Sequence, residues 1–191
     1  MPTFKNLKTL ELNATDSKLK NISLPNIESL CVFIPYQLLL SDMSDFININ
    51  GKTLKNLDVN DYENITDCGI MRKLFQSIAQ SCKNLENLST IYDDELDQEL
   101  IEILNSCMKL KSITFYNGFN GDRILTVLNQ TLPKRLGSII CDYKVSNIND
   151  NSLAILMKNW RGPKPLTMRF HNCGNAIKEI LREYQDLGFL N

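Results

Sequence analysis

The sequence contains a single histidine, His171, and this scarcity excludes most kinds of catalytic and metal site. Serine and cysteine nucleophiles are usually activated by a histidine base, and zinc sites usually need several histidine or cysteine ligands. Cys173 stands two residues after His171. The alternation with Met168 and Phe170, however, places His171 on the side of a strand that faces away from the core. We therefore expect a protein that is not an enzyme and needs no cofactor.

The chain also lacks a strong charge of either sign and a long apolar run. Its formal net charge is -1, which offers no field to attract nucleic acid or an anionic membrane. The longest uncharged stretch, residues 29–41, is interrupted by Pro35 and Gln37 and is shorter than the roughly 20 apolar residues that cross a bilayer. The first residues do not resemble a secretory signal. We expect a soluble intracellular protein, cytoplasmic or nuclear, that binds neither nucleic acid nor membranes.

What the sequence does contain is an internal repeat. An apolar residue, two others, an apolar residue, one other and a third apolar residue recur seven times, with starting points 20 to 31 residues apart. Periods in this range are typical of stacked repeat architectures. The copies are Leu7, Leu10 and Leu12; Ile27, Leu30 and Val32; Leu54, Leu57 and Val59; Leu85, Leu88 and Thr90; Leu110, Ile113 and Phe115; Leu136, Ile139 and Cys141; and Pro165, Met168 and Phe170.

Helical patterns separate most of these copies. Apolar residues three and four apart predict helices within residues 70–78, 96–104, 124–132, 153–157 and 177–184. Residues that favour helix N-termini stand before four of them, namely Thr66 or Asp67, Asp93 or Asp94, Asn120 or Asp122, and Asn149 or Asp150. The repeating unit is therefore predicted to be a strand, a turn and a helix.

Such a unit cannot fold alone. About six buried apolar side chains at roughly 2 kcal/mol each do not offset the ordering entropy of about 26 residues. Stacked neighbours bury both flanks of each unit, and right-handed crossovers make the strands parallel. We predict one α/β solenoid domain over residues 1–191, with about seven repeats, a parallel sheet on the concave face and helices on the convex face.

Cys82 and Cys107 stand three residues before Leu85 and Leu110, and residues 64–70 read N-I-T-D-C-G-I. These segments are similar to the cysteine-containing leucine-rich repeats of F-box proteins. Tyr62 and Gly118 occupy positions where that family has a second cysteine, so the cysteine pattern is incomplete.

The resemblance implies a right-handed, ribonuclease-inhibitor-like horseshoe that binds proteins. It also implies the substrate-recognition part of an SCF ubiquitin ligase receptor. No F-box is visible in this sequence, so the ligase adaptor is a partner only if an F-box lies upstream in the full gene product. The alternative is a free-standing leucine-rich-repeat interaction or inhibitor protein without a ubiquitin role.

Other patterns have ordinary structural explanations. The six cysteines form no C-x-x-C pair, and in a reducing compartment we expect free thiols that fill small apolar positions of the core rather than a zinc site. The acidic run over residues 93–102 lacks the glycine and the ligand spacing of a calcium loop, and acidic residues are favoured at helix N-termini. No glycine-rich phosphate loop is present.

The residues between the inward positions of each strand are predicted to form an exposed sheet face. Most are small or polar, but a few are large and apolar, and such groups often anchor protein recognition. We predict a binding strip for a protein client, centred on Ile91, Tyr116 and Ile140, with charged residues that set its preference. The alternative is scattered surface hydrophobics or residues covered by a loop. The candidate residues are Phe33, Asp58, Ile91, Tyr116, Ile140, Asp142 and Arg169.

The two ends of the stack differ. Residues 173–191 are predicted to form a C-terminal capping helix. At the other end, the strand at residues 7–12 would expose an edge without a cap. This edge suggests an upstream segment, a dimer contact or marginal solubility.

Overall fold

The computed structural model describes most of the chain. The described residues are 4–13, 21–34, 38–61, 67–117, 119–131, 134–142, 145–146, 148–160, 162–163, 165–171 and 174–190. The strands are β1 (Thr9–Asn13), β2 (Ser29–Ile34), β3 (Asn56–Asp61), β4 (Asn87–Thr90), β5 (Ser112–Phe115), β6 (Phe119–Asn120), β7 (Ser138–Cys141), β8 (Val145–Ser146) and β9 (Thr167–Phe170). The helices are α1 (Leu38–Asn50), α2 (Cys68–Ser81), α3 (Asp97–Ser106), α4 (Gly121–Thr131), α5 (Asp150–Asn159) and α6 (Asn175–Asp186).

Seven strands form one parallel sheet in the order of the chain, β1-β2-β3-β4-β5-β7-β9. Strands β6 and β8, which follow β5 and β7, pair in parallel as a small second sheet. The predicted α/β class with a parallel sheet and intervening helices is thus confirmed, and the architecture is solenoid-like.

The repeat aligns from strand to strand. The second apolar positions of the seven copies are register partners, and all are buried except Leu10 at the edge, which is half-buried. Because these side chains belong to one hydrophobic cluster, each repeat covers the apolar flank of the next. The aligned residues are Leu10, Leu30, Leu57, Leu88, Ile113, Ile139 and Met168.

The seventh copy of the repeat is shifted by one residue at its start. Pro165, the predicted first apolar position, is exposed, and the neighbouring Leu166 is buried instead. The Leu166 N–H donates to the carbonyl of Phe189 at 2.9 Å, and Leu166 forms a parallel bridge with Leu190. The C-terminal segment thus holds Leu166 inside, and the sequence prediction for Pro165 was wrong.

The predicted helix starts agree with the side-chain hydrogen bonds. Asp67 accepts from the N–H groups of Gly69 and Ile70, and Asn149 accepts from that of Asn151. Asp93 likewise accepts from the Glu95 N–H, and Asn120 from the Asp122 N–H. These bonds satisfy N–H groups that have no partner within the helix.

Helix α1 was not among the predicted helices. Among its described side chains, the buried ones are Met43, Ser44, Phe46, Ile47 and Asn50, of which Ser44 and Asn50 are polar. Asn50 accepts from the Leu24 N–H at 2.6 Å and donates to the carbonyls of Ile22 and Phe46 at 2.8 Å and 2.9 Å. This asparagine therefore joins the end of α1 to the segment before β2.

The cysteines divide into two groups. Five are free thiols, and Cys173 lies outside the described residues. Cys82, Cys107 and Cys141 are buried in the core, as predicted. Cys31 and Cys68 are only half-buried, so the prediction that they fill apolar positions of the core was wrong. Cys31 points away from the core on β2, and Cys68 is the first residue of α2.

A ladder of alternating charges crosses the sheet just before the strands begin. Glu28 lies 3.1 Å from the Lys8 ammonium and 2.7 Å from that of Lys55, and Glu86 lies 2.5 Å from that of Lys111. Successive backbone hydrogen bonds join the same five residues in the order 8, 28, 55, 86 and 111. Opposite charges at equal register favour this alignment of the strands.

The two ends of the sheet carry different structures. At the C-terminal end, α6 packs Ile177 and parts of Ile180 and Leu181 against the core, and its role as a cap stays a prediction. At the other end, within the described residues, β1 pairs only with β2. Leu10 and Leu12 of β1 are half-buried.

Candidate binding site on the open face of the sheet

One face of the seven-stranded sheet is packed against the helices, and we call the other the open face. Its side chains form three rows, because equal positions of neighbouring strands are register partners. The first row carries only hydroxyl and amide groups, from Thr9, Ser29, Asn56, Asn87, Ser112, Ser138 and Thr167. The middle row contains Glu11, Cys31, Asp58, Ser89, Thr114, Ile140 and Arg169. The third row includes Phe33, Asn60, Tyr116, Asp142 and His171.

Asp58 and Tyr116 make the main contact across this face. The Tyr116 hydroxyl donates to the Asp58 carboxylate, with the two oxygens at 3.0 Å and 3.1 Å. Tyr116 follows β5, so its side chain extends over β4 to reach β3. Ser89 is the residue of β4 beside Asp58, and its small side chain leaves room for the tyrosine ring.

The electrostatics of this contact follow from partial burial. Loss of solvent raises the pKa of the Asp58 carboxyl, and the hydrogen bonds from Tyr116 and Cys31 oppose that rise. Burial and the Asp58 charge raise the pKa of Tyr116 to about 12 and that of Cys31 to about 11. Both groups therefore stay protonated near neutral pH and act as neutral donors to the carboxylate.

A second contact lies toward the C-terminal end of the sheet. The Nε2 atom of His171 is 3.5 Å from a carboxylate oxygen of Asp142, and both side chains are largely exposed. Arg169 is exposed in the middle row of β9. This end of the open face thus combines one acidic side chain with an arginine and a histidine, whereas Asp58 is the charged open-face residue of β3.

The sequence prediction was wrong for one site residue, Ile91. Ile91 was expected on the open face, but it is buried, with 6% of its surface exposed. Strand β4 ends at Thr90, and the N–H of Tyr92, two residues later, donates to the Asn117 side chain at 2.7 Å. Asn117 also donates to the Tyr92 carbonyl. This pair of bonds turns the chain inward after Thr90, and the alternation of the strand stops there.

The other predicted residues lie on the open face. Phe33 and Ile140 are half-buried there, and Asp142 and Arg169 are exposed. Asp58 and Tyr116 are hydrogen-bonded to each other. Tyr116 follows β5, and Ile140 lies on the adjacent strand β7. The predicted strip therefore loses Ile91 and keeps Tyr116 and Ile140. Whether these residues bind a partner stays a prediction.

Sequence reasoning missed two participants, Cys31 and Ser89. The alternation along the strands is compatible with both residues on the open face, but neither was connected with Asp58. Aligning the seven copies by their second apolar residue places Cys31, Asp58 and Ser89 at the same position. That alignment is the signal that predicts their contact; the reach of Tyr116 over β4 has no such signal.

A groove of about 590 Å³ lies along the edge where the strands begin. Its lining includes Lys5, Lys8, Lys55 and Lys109 together with the acids of the charge ladder. Lys8 and Lys55 are already paired with Glu28, and Lys109 donates to Asn84 at 2.7 Å. These contacts explain most of its charge without a ligand.

The described residues lack two other features. They contain no group of three or more histidine, cysteine or acidic side chains placed to hold a metal ion. None of their helices has both the length and the apolar character that a membrane span needs.

Comparison with known proteins adds no family assignment. No protein-family model matches the sequence, and no curated protein is significantly similar to it. The functional interpretation therefore depends on the repeat, the fold and the open face.

Proposed function

We propose that this chain is a leucine-rich-repeat horseshoe that binds a partner protein on the open face of its sheet, which would be the concave face. Support comes from the seven in-register copies of the repeat and from the alternation of parallel strands with helices. Solenoids of this kind offer extended surfaces that suit protein recognition.

The observation that carries the proposal is the composition of the open face. Small polar side chains fill the first row across all seven strands, so a partner can approach the sheet closely. Tyr116, which contacts Asp58, and Ile140, on the neighbouring strand β7, provide the larger groups that anchor interfaces.

The pathway proposed is ubiquitin-dependent protein turnover. The resemblance of residues 64–70 and of the Cys82 and Cys107 segments to F-box repeat proteins supports a role in substrate recognition. The SCF adaptor would bind through an F-box elsewhere in the gene product. The second candidate is an interaction or inhibitor protein with the same binding face and no ligase.

Affinity purification with quantitative mass spectrometry tests the proposal. The protein, tagged at its own gene, is compared with a Tyr116→Ala, Ile140→Ala double variant and with an Ile155→Ala control. Ile155 is an exposed residue of α5, on the helix side of the sheet. We expect the client to be lost from the double variant and kept by the control.

The ligase components provide a separate readout. An adaptor bound through an F-box would be recovered equally with all three proteins, because the substitutions leave the F-box intact. Recovery of a client without adaptor or cullin would favour the second candidate. Equal recovery of every protein from the double variant would contradict the open-face proposal.

A further inference from the structure

Asp58 is a half-buried carboxylate without a cationic partner among the described residues. Its hydrogen bonds come from Tyr116 and Cys31, both of which are neutral donors. By contrast, Glu28, Glu86, Asp97 and Glu99, all outside the open face, each contact a lysine or arginine. Among the described acids of the open face, Asp58 is therefore the one that is both half-buried and without a counter-charge.

The hydrogen bonds described for Asp58 need an acceptor but not a negative charge. An asparagine at position 58 could accept the same hydrogen bond from Tyr116 without placing a charge in a partly dry site. Burial raises the pKa of Asp58, so the ionised carboxylate makes folding less favourable near neutral pH. Functional sites often carry such charges at the expense of stability.

The surroundings of Asp58 suit a positive group that arrives from outside. Cys31 and Ser89, its neighbours on β2 and β4, are small. Arg169 is the one described lysine or arginine of the open-face rows, and it lies on β9, four strand spacings or roughly 19 Å from β3. No described cation on the face thus competes for the carboxylate.

We propose that Asp58 and Tyr116 together receive an arginine side chain of the partner protein. The two carboxylate oxygens match the planar fork of a guanidinium, and the tyrosine ring beside them offers an aromatic surface for the same group. This inference rests on the proposed function, and it adds the chemistry of the partner: a basic rather than an acidic segment.

Two of the three other formally charged side chains in the open-face rows are acids, which favours a basic segment, and the third is Arg169 on the distant strand β9. Glu11 and Asp142 are exposed acids at either side of Asp58, on β1 and after β7. An acidic segment would meet three carboxylates and would be repelled. A lysine could also approach Asp58, but its point charge makes less use of two oxygens and an aromatic ring.

The first test is the stability of the free protein. Asp58→Asn should unfold at the same or a higher urea concentration than the wild type at pH 7, because it removes the charge and keeps the acceptor. Asp142→Asn is the matched control, since that acid is exposed and lies beside His171. A clear loss of stability in Asp58→Asn would mean that the charge serves the fold and would overturn the inference.

The second test is an NMR titration with three short peptides of glycine and serine that carry a central arginine, lysine or glutamate. We expect the arginine peptide to shift the signals of Asp58, Tyr116, Cys31 and Ser89, with an affinity in the millimolar range. The lysine peptide should bind more weakly and the glutamate peptide not at all. Asp58→Asn should remove the response, and Glu102→Gln, which removes an exposed acid of α3 outside the open face, should keep it.

The outcomes separate this inference from the proposed function. If Tyr116→Ala, Ile140→Ala abolishes client binding but Asp58→Asn does not, the open face binds the client and the arginine site is wrong. If the arginine peptide fails to shift Asp58, or shifts it no more than glutamate does, the arginine site is also wrong. Loss of both peptide and client binding in Asp58→Asn supports the inference.

Discussion

The Tyr116 hydroxyl lies 3.0 Å and 3.1 Å from the two carboxylate oxygens of Asp58, although the two residues are 58 positions apart in the chain. The strand β4 lies between their strands. This contact joins the repeats of β3 and β5 through side chains on the open face and passes over the repeat between them. It holds a polar group in the middle of the face where a partner would dock.

Replacing Tyr116 by phenylalanine tests this contact. The ring stays, but the donor is lost, so the pKa of Asp58 should rise further above its ordinary value. Stability at pH 7 should fall by about 1 kcal/mol, typical of one hydrogen bond. NMR titration of the Asp58 carboxyl measures the pKa. Tyr184→Phe, on α6, is the control, and an unchanged Asp58 pKa in Tyr116→Phe would mean that the hydrogen bond is not made.

Two leucines at the same register position test the stacking of the repeats. Leu88 is buried between neighbouring strands, whereas Leu10 is half-buried on the edge strand β1. Leu88→Ala should lower the free energy of unfolding by about 2–5 kcal/mol, and Leu10→Ala by about 1 kcal/mol. Urea unfolding measures both. Equal losses would be incompatible with a stack in which repeats cover Leu88 from both sides and Leu10 from one side.

The buried Asn50 provides a third test. Alanine at this position leaves the Leu24 N–H without its acceptor and removes two bonds to carbonyl groups. The expected loss of stability is about 2–3 kcal/mol, because a buried donor remains unpaired. Asn105→Ala, at an exposed position of α3, should change stability little. Similar values for the two variants would show that Asn50 does not join α1 to the segment before β2.

The charge ladder predicts a dependence on pH. Lys55 and Lys8 hold the pKa of Glu28 below its usual range, so its ionised form is favoured in the folded state. This contribution is present above the pKa of the unfolded chain and is lost as the pH falls through the folded value. Glu28→Gln should therefore be less stable than the wild type at pH 7 and equally stable in strong acid.

Added salt should reduce the difference at pH 7, since the ladder is exposed to solvent. Glu102→Gln, at an exposed position of α3, is the matched control and should follow the wild type at every pH. Thermal unfolding across pH measures all three proteins. A deficit of Glu28→Gln that persists in strong acid would assign its effect to packing rather than charge.

Much of the fold could be predicted because its signals are local and repeated. The same apolar pattern returns in every repeat, and residues such as Asp67 and Asn149 mark helix starts. Helix α1 was missed because two of its buried positions, Ser44 and Asn50, are polar where apolar residues are expected. The partner of Asn50, Leu24, is 26 residues away, and no local pattern reveals such a bond.

The candidate site could be predicted only in part. Alternation along a strand placed Asp58 on the open face, but it failed for Ile91, where the strand ends one residue earlier. The end of β4 is set by Asn117, in the next repeat, which bonds to Tyr92. Contacts between repeats, such as this one and that of Tyr116, depend on side-chain reach that sequence alone does not give.

The most direct test of the open face as a protein-binding surface is the dissociation constant of the purified client. We predict that Tyr116→Ala, Ile140→Ala weakens binding by roughly tenfold or more, the loss typical of interface anchors. Ile155→Ala, on the helix side, should bind like the wild type. An unchanged dissociation constant for the double variant, with the fold intact, would contradict the proposal.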